Sequence, residues 1–149
     1  MRKKDKTQKE SLRRVLFVDD EEHLLESVER ALRNRFEVHT ALSGQKGLDT
    51  IRNSETFPVI VADLRMPHMG GIEFLERAIQ ISPKSVTIVL TGHADRANAV
   101  EAVEKGKVLH FLSKPCPMDA LTKAVDAGVR LFDLEIEIEE IREFLRSVA

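Results

Sequence analysis

With 149 residues, 42% of them hydrophobic, the chain has material for one ordinary globular core. Its 23 basic and 25 acidic residues nearly cancel, so it has no basic field of the kind that draws a protein onto nucleic acid. A single cysteine, Cys116, excludes an internal disulfide, and no apolar run approaches the roughly 20 residues of a membrane span.

The first residues, Met1 to about Leu12, are almost wholly polar and read as a disordered leader. No apolar stretch of signal-peptide type follows this basic start, so a cytoplasmic protein is expected, with no membrane and no direct nucleic-acid partner. Val15-Leu16-Phe17-Val18 is a short apolar run that ends in Asp19-Asp20-Glu21-Glu22, a buried strand running into carboxylates. Leu24, Leu25, Val28, Ala31 and Leu32 then recur at helical spacing. Phe36 to Ala41 alternates as a half-buried edge strand would, and Ser43 is placed to cap a helix reaching about Arg52.

Pro58 to Ala62 is a continuous apolar run, as expected of a strand covered on both faces, and it leads directly into Asp63. The loop after it carries Pro67, Gly70 and Gly71. Ile72, Phe74, Leu75, Ala78 and Ile79 mark the next helix, stopped near Ser82-Pro83. Val86 to Leu90 is a further buried strand ending at Thr91-Gly92, and Ala94 to Lys105 reads as a helix closed by Gly106. Lys107 to Leu112 forms the fifth strand, which ends in Ser113-Lys114-Pro115, and a last helix starts near Pro117 or Met118.

Strand and helix thus alternate five times. Parallel strands need crossovers, and right-handed crossovers make a doubly wound α/β sandwich the natural solution; the expectation is a (βα)5 sheet in the flavodoxin-like order 2-1-3-4-5. Every strand of such a sheet points the same way, so Asp19, Asp20, Asp63, Thr91 and Lys114 gather at its carboxyl edge, where open α/β sheets bind ligands. Crowded carboxylates repel, and a hard divalent cation such as Mg2+ relieves the repulsion. Lys114 supplies a point charge and Thr91 a hydroxyl donor for phosphoryl oxygens. The set is suited to holding a phosphoryl group on or beside a carboxylate.

Asp19-Asp20, Asp63, Thr91 and Lys114-Pro115, in this order and spacing, resemble the receiver domain of two-component response regulators, over roughly Arg14 to Arg130. The resemblance implies that Asp63 is the phosphoacceptor and that a sensor histidine kinase or phosphotransfer protein is the donor. It implies Mg2+ bound directly by Asp20 and Asp63, through water by Asp19, and by the backbone carbonyl of Arg65. Lys114 would pair with carboxylate and then phosphoryl oxygens, Thr91 would be the switch hydroxyl and Phe111 the switch aromatic, and the Lys114-Pro115 peptide would be cis. Phosphorylation would change the surface made by the Ala94–Lys105 helix and the fifth strand. Beyond self-catalysed phosphoryl transfer and autodephosphorylation no enzyme activity is implied. Arg65 and His93 flank the phosphoryl position, where such residues tune its lifetime or are simply solvated. His39, His68 and His110 have no metal-ligand spacing, and Cys116 reads as an inert small hydrophobe.

The receiver is assigned to 13–131 and a helical extension to 132–149. Ala124, Ala127, Leu131, Leu134, Ile138, Ile141, Leu145 and Val148 are spaced 3, 4, 3, 4, 3, 4, 3, which is a heptad seam. It suggests a parallel coiled coil and a homodimer, against a helix packed on its own domain or leading to an output domain beyond Ala149. Ile136, at an outward position, is irregular. Two other functions compete: a pseudo-receiver used only for interaction, which would lack the acidic pair or Lys114, and an aspartyl-nucleophile phosphatase, which would need an acid where Arg65 stands and a substrate cap.

Overall fold

The computed structural model describes residues 12–92 and 108–149. The expected leader, the Ala94–Lys105 helix and His93 lie outside the described residues. The elements are β1 (Arg13–Val18), α1 (Glu22–Leu32), β2 (Phe36–Ala41), α2 (Gly44–Arg52), β3 (Val59–Ala62), α3 (Gly71–Ile81), β4 (Val86–Thr91), β5 (Val108–Ser113) and α4 (Met118–Ser147). The five strands form one parallel sheet in the order β2-β1-β3-β4-β5, the expected flavodoxin-like order.

Period-two alternation along the strands divides the core into two layers. Leu16, Val18, Ile60 and Ala62 face Leu48, Phe74 and Leu75 on α2 and α3. Val15, Phe17, Val59 and Val61 face Leu25 and Val28 on α1 and Leu121 and Val125 on α4. The central strands β3 and β4 are buried along their whole length, whereas the edge strand β2 is buried only at its two ends, Phe36 and Ala41.

Local chemistry sets the element ends. The Ser43 hydroxyl accepts a hydrogen bond from the Lys46 amide at 3.2 Å and so satisfies one free donor at the start of α2. Ser43→Ala is expected to cost about 1 kcal/mol, read as a lower urea midpoint with an unchanged slope. At the far end of the sheet, the buried Ser85 hydroxyl donates to the Phe57 carbonyl at 2.6 Å and meets Ser82 Oγ at 2.7 Å, so both are paired structural groups.

Helix α4 is continuous over 30 residues, so the alternating piece Leu134–Ile138 is helix and not strand. Its first half is seated on the sheet by Leu121, Val125, Gly128 and Phe132. Gly128 permits that approach, because a Cβ there would lie 2.8 Å from Val59 Cγ2. Two bidentate pairs fasten the same stretch: Arg35 holds Asp126, and Arg13 holds Asp133 at 2.8 and 2.9 Å. Beyond Asp133 the helix is mostly exposed. Ile136 and Glu139 remain half-buried beside a groove that Pro83 and Lys84 also line, which accounts for an apolar residue outside the seam.

Candidate functional site

The register of the sheet assembles the site. Val18 pairs with Ala62, so the residues that follow, Asp19 and Asp63, emerge side by side at the carboxyl edge. Their amides extend the ladder, Asp63 N–H donating to the Val18 carbonyl and Asp19 N–H to the Ala41 carbonyl, both at 3.1 Å. Asp19 and Asp63 are buried and Asp20 is exposed, and one carboxylate oxygen from each lies within 4.8 Å of the others.

On the other side, the Lys114 amide donates to the Thr91 carbonyl at 2.8 Å, which ties the ends of β4 and β5 together. Lys114 then reaches back across the sheet edge. Its ammonium lies 2.8 Å from Asp19 Oδ2, 3.0 Å from Asp63 Oδ2 and 2.6 Å from Glu21 Oε2. Burial alone would lower its pKa, but the hydrogen bonds to Asp19, Glu21 and Asp63 outweigh that and hold it above the ordinary lysine range. Burial pushes the Asp19 carboxyl above the usual aspartate value, against the pull of Lys114 and of the Glu21 amide, which donates to Asp19 Oδ1 at 2.9 Å.

The loop after β3 closes over the acceptor. The Arg65 amide donates to Asp63 Oδ1 at 3.3 Å, and Arg65 is an exposed residue. His68 takes a left-handed backbone with φ of 68°, a region that costs most residues of order 1 kcal/mol and that His enters more readily than bulkier side chains. Gly71 starts α3 directly against this loop. Thr91 is buried at the end of β4. Phe111 is half-buried on β5, paired in register with Val89 and packed at the margin of the α2–α3 core. The Lys114–Pro115 peptide is cis.

Asp19, Asp20, Asp63, Thr91 and Lys114 are therefore brought to one edge, as the alternation implied. His39 is apart, hydrogen-bonded to Glu37 at 2.8 Å on the edge strand, and His68 and His110 do not join the cluster. Cys116 is half-buried, and burial, with Asp119 nearby, pushes its thiol up, so it is a poor nucleophile. Sequence reasoning did not single out Glu21 as a site residue. Its only signal was its place in the run Asp19-Asp20-Glu21-Glu22, which does not say which acid faces Lys114. The donor set fits a hard cation: it is all oxygen, and octahedral Mg2+ needs ligand oxygens roughly 3–4 Å apart, a small adjustment from the spacing here.

A doubly wound parallel sheet with an acidic cluster and a cis-Pro-linked lysine at its carboxyl edge defines a phosphoacceptor-type signalling domain. The response regulator receiver domain matches residues 15–126, and the chain belongs to that family. Among relatives, it is 36% identical over 113 residues to the transcriptional regulatory protein GlrR of Escherichia coli (strain K12), covering 75% of this chain and 25% of that protein. It is 34% identical to the transcriptional regulatory protein FixJ of Rhizobium meliloti, covering 87% of this chain and 63% of FixJ. The chain spans only about a quarter of the length of GlrR and of several other curated relatives it matches.

Among solved structures, one described as adenylate cyclase from Rhodopirellula baltica superposes with a TM-score of 0.84 and 43% identity, covering 89% of this chain and 98% of that one. A CheY-like receiver from Methanospirillum hungatei gives 0.78 and 31%, covering 84% and 99%. The first of these is matched over nearly its whole length by a receiver fold, so its name carries no cyclase chemistry to this site. The two competing readings are not favoured. The acidic pair and Lys114 are all present, and the position two after Asp63 holds Arg65 where a phosphatase needs an acid. Among the described residues no helix is long and apolar enough to cross a membrane.

Proposed function

We propose that Asp63 accepts a phosphoryl group from the phosphohistidine of a sensor histidine kinase or phosphotransfer protein. The observation that carries this reading is the placement of Lys114 Nζ, 3.0 Å from Asp63 and 2.8 Å from Asp19 at the carboxyl edge of the sheet. An Asp63 oxygen forms the new P–O bond while the P–N bond breaks, and the imidazole nitrogen keeps the electron pair and takes up a proton. Asp19, Asp20, Asp63 and the Arg65 carbonyl would hold Mg2+, which supplies positive charge to the phosphoryl oxygens when bound.

Lys114 neutralises the acceptor before transfer and pairs with a phosphoryl oxygen after it, a shift that its flexible stem allows. The phosphoryl group adds about −1.5 to −2 of charge and strong acceptor oxygens. The Thr91 hydroxyl donates to one of them, and Phe111, at the margin of the core, repacks into the space that Thr91 leaves. Phosphorylation then biases two packings of the β5 face that differ by a few kcal/mol.

The test is incubation with a small-molecule phosphodonor, followed by intact-mass measurement. One phosphoryl group is expected on the chain with Mg2+ present and none above background once a chelator removes it. Equal incorporation with and without the chelator would overturn the assignment of the acidic cluster.

A further inference from the structure

Helix α1 is preceded at its cap by Glu21, whereas Ser, Thr, Asp and Asn are the residues that usually cap helices. The Glu21 side chain makes no capping bond. Its backbone carries the local structure instead: the amide donates to Asp19 Oδ1 at 2.9 Å, and the carbonyl accepts from the Leu25 amide at 3.2 Å. The carboxylate is left for another task. It meets the Lys114 ammonium at 2.6 Å, closer than Asp19 Oδ2 at 2.8 Å or Asp63 Oδ2 at 3.0 Å. A residue that departs from local preference, and whose side chain finds a partner 93 positions away, is what a functional site leads one to expect.

The three partners of Lys114 differ in burial. The side chains of Asp19 and Asp63 are only 5% and 8% exposed, whereas that of Glu21 is 60% exposed. A buried carboxylate stripped of its cation is destabilised strongly, but one at the rim regains water at once. A phosphoryl group on Asp63 would place strong acceptor oxygens within reach of the flexible Lys114 stem. Glu21 is then the partner that Lys114 gives up at least cost. Its carboxylate would also stand near the new negative charge and repel it.

We infer that Glu21 is a positioning residue for phosphoryl capture: it holds Lys114 at the rim while Asp63 is free and yields it to the phosphoryl oxygens, so that Glu21 opposes phosphorylation. This deepens the phosphoacceptor reading of Asp63 and rests on it. An exposed side chain outside the acidic cluster thus sets part of the balance of the switch.

The test compares two affinities of the full chain: for beryllofluoride at saturating Mg2+, by fluorine NMR, and for Mg2+ alone, by calorimetry. Glu21→Gln should bind beryllofluoride at least about threefold more tightly, the scale of a rim-exposed ion pair. It should bind Mg2+ alone no more tightly than wild type, because a negative charge has left the neighbourhood of the site. A merely structural role for Glu21 would weaken both, so the split between the two affinities identifies positioning. Glu22 is the next residue and is not a partner of Lys114. Glu22→Gln removes the same charge and should leave both affinities within about twofold of wild type. A folded wild-type chain that takes up no beryllofluoride would remove the phosphoacceptor reading, and this inference with it. Wild-type uptake without tightening in Glu21→Gln, parallel changes in both affinities, or equal tightening in Glu22→Gln would overturn this inference alone.

Discussion

Asp63→Asn is expected to abolish phosphoryl incorporation from a small-molecule phosphodonor while leaving the fold intact. An amide oxygen is a poor nucleophile, and among the described residues no other carboxylate has the same place: Asp19 is engaged by Lys114 and the Glu21 amide, and Asp20 is exposed at the rim. The substitution does not strand Lys114, which keeps Asp19 at 2.8 Å and Glu21 at 2.6 Å. It also removes one negative charge from beside Asp19. Stability should therefore stay within about 1 kcal/mol of wild type, checked by thermal melting. Incorporation at wild-type level would move the acceptor to another side chain.

Gly71→Ala is expected to damage both stability and the site. A Cβ at this position would lie 2.2 Å from the Asp63 carbonyl oxygen and 2.5 Å from Leu64 Cα, both backbone atoms that no rotamer change can move aside. The Gly71 amide also donates to the Leu64 carbonyl at 2.9 Å, so the loop and the start of α3 are held face to face. Relief requires the β3–α3 loop to shift, and with it the Asp63 backbone. The expected cost is about 3 kcal/mol or more, at the upper end of what overpacking does, read from chemical denaturation. Slower phosphoryl uptake should accompany it. Gly70→Ala is the control, because its Cβ would meet only the Leu64 carbonyl oxygen at 3.8 Å. A Gly71→Ala protein as stable as wild type would show that the loop yields more easily than this packing implies.

Much of the fold was legible because the strands of a parallel sheet are written differently from helices. Val59–Ala62 is an unbroken apolar run and Val86–Thr91 is broken only by Thr87 before its closing Thr91, and both are buried throughout, whereas Phe36–Ala41 at the edge mixes apolar with polar residues and is buried only at its ends. The acidic cluster followed from topology: once all strands run parallel, residues at their carboxyl ends must converge. Glu21 was not legible, because an exposed glutamate in an acidic loop has no pattern that fixes its partner, and only the reach of Lys114 across the sheet edge selects it. The half-burial of Phe111 was likewise hidden, since a strand pattern gives the face of a residue but not its distance from the margin of the core.

Helix α4 was read through its heptads, and its other stripe went unremarked. Leu121, Val125 and Phe132 share the spacing of three and four, offset by one position from the seam, and Gly128 marks the closest approach to Val59. Two overlapping periods run along the helix, and the longer one dominates the reading. Ile136 makes sense only with Pro83 and Lys84 beside it, on a loop far away in sequence.

The most direct test of the phosphoacceptor assignment is fluorine NMR of the chain with Mg2+ and beryllofluoride, a mimic of the phosphoryl group on a carboxylate. Protein-bound fluorine resonances are expected, saturating at one site per chain, lost on adding a chelator and absent in Asp63→Asn. A folded wild-type chain that gives no bound resonance in the presence of Mg2+, or an Asp63→Asn chain that gives the same resonances, would contradict it.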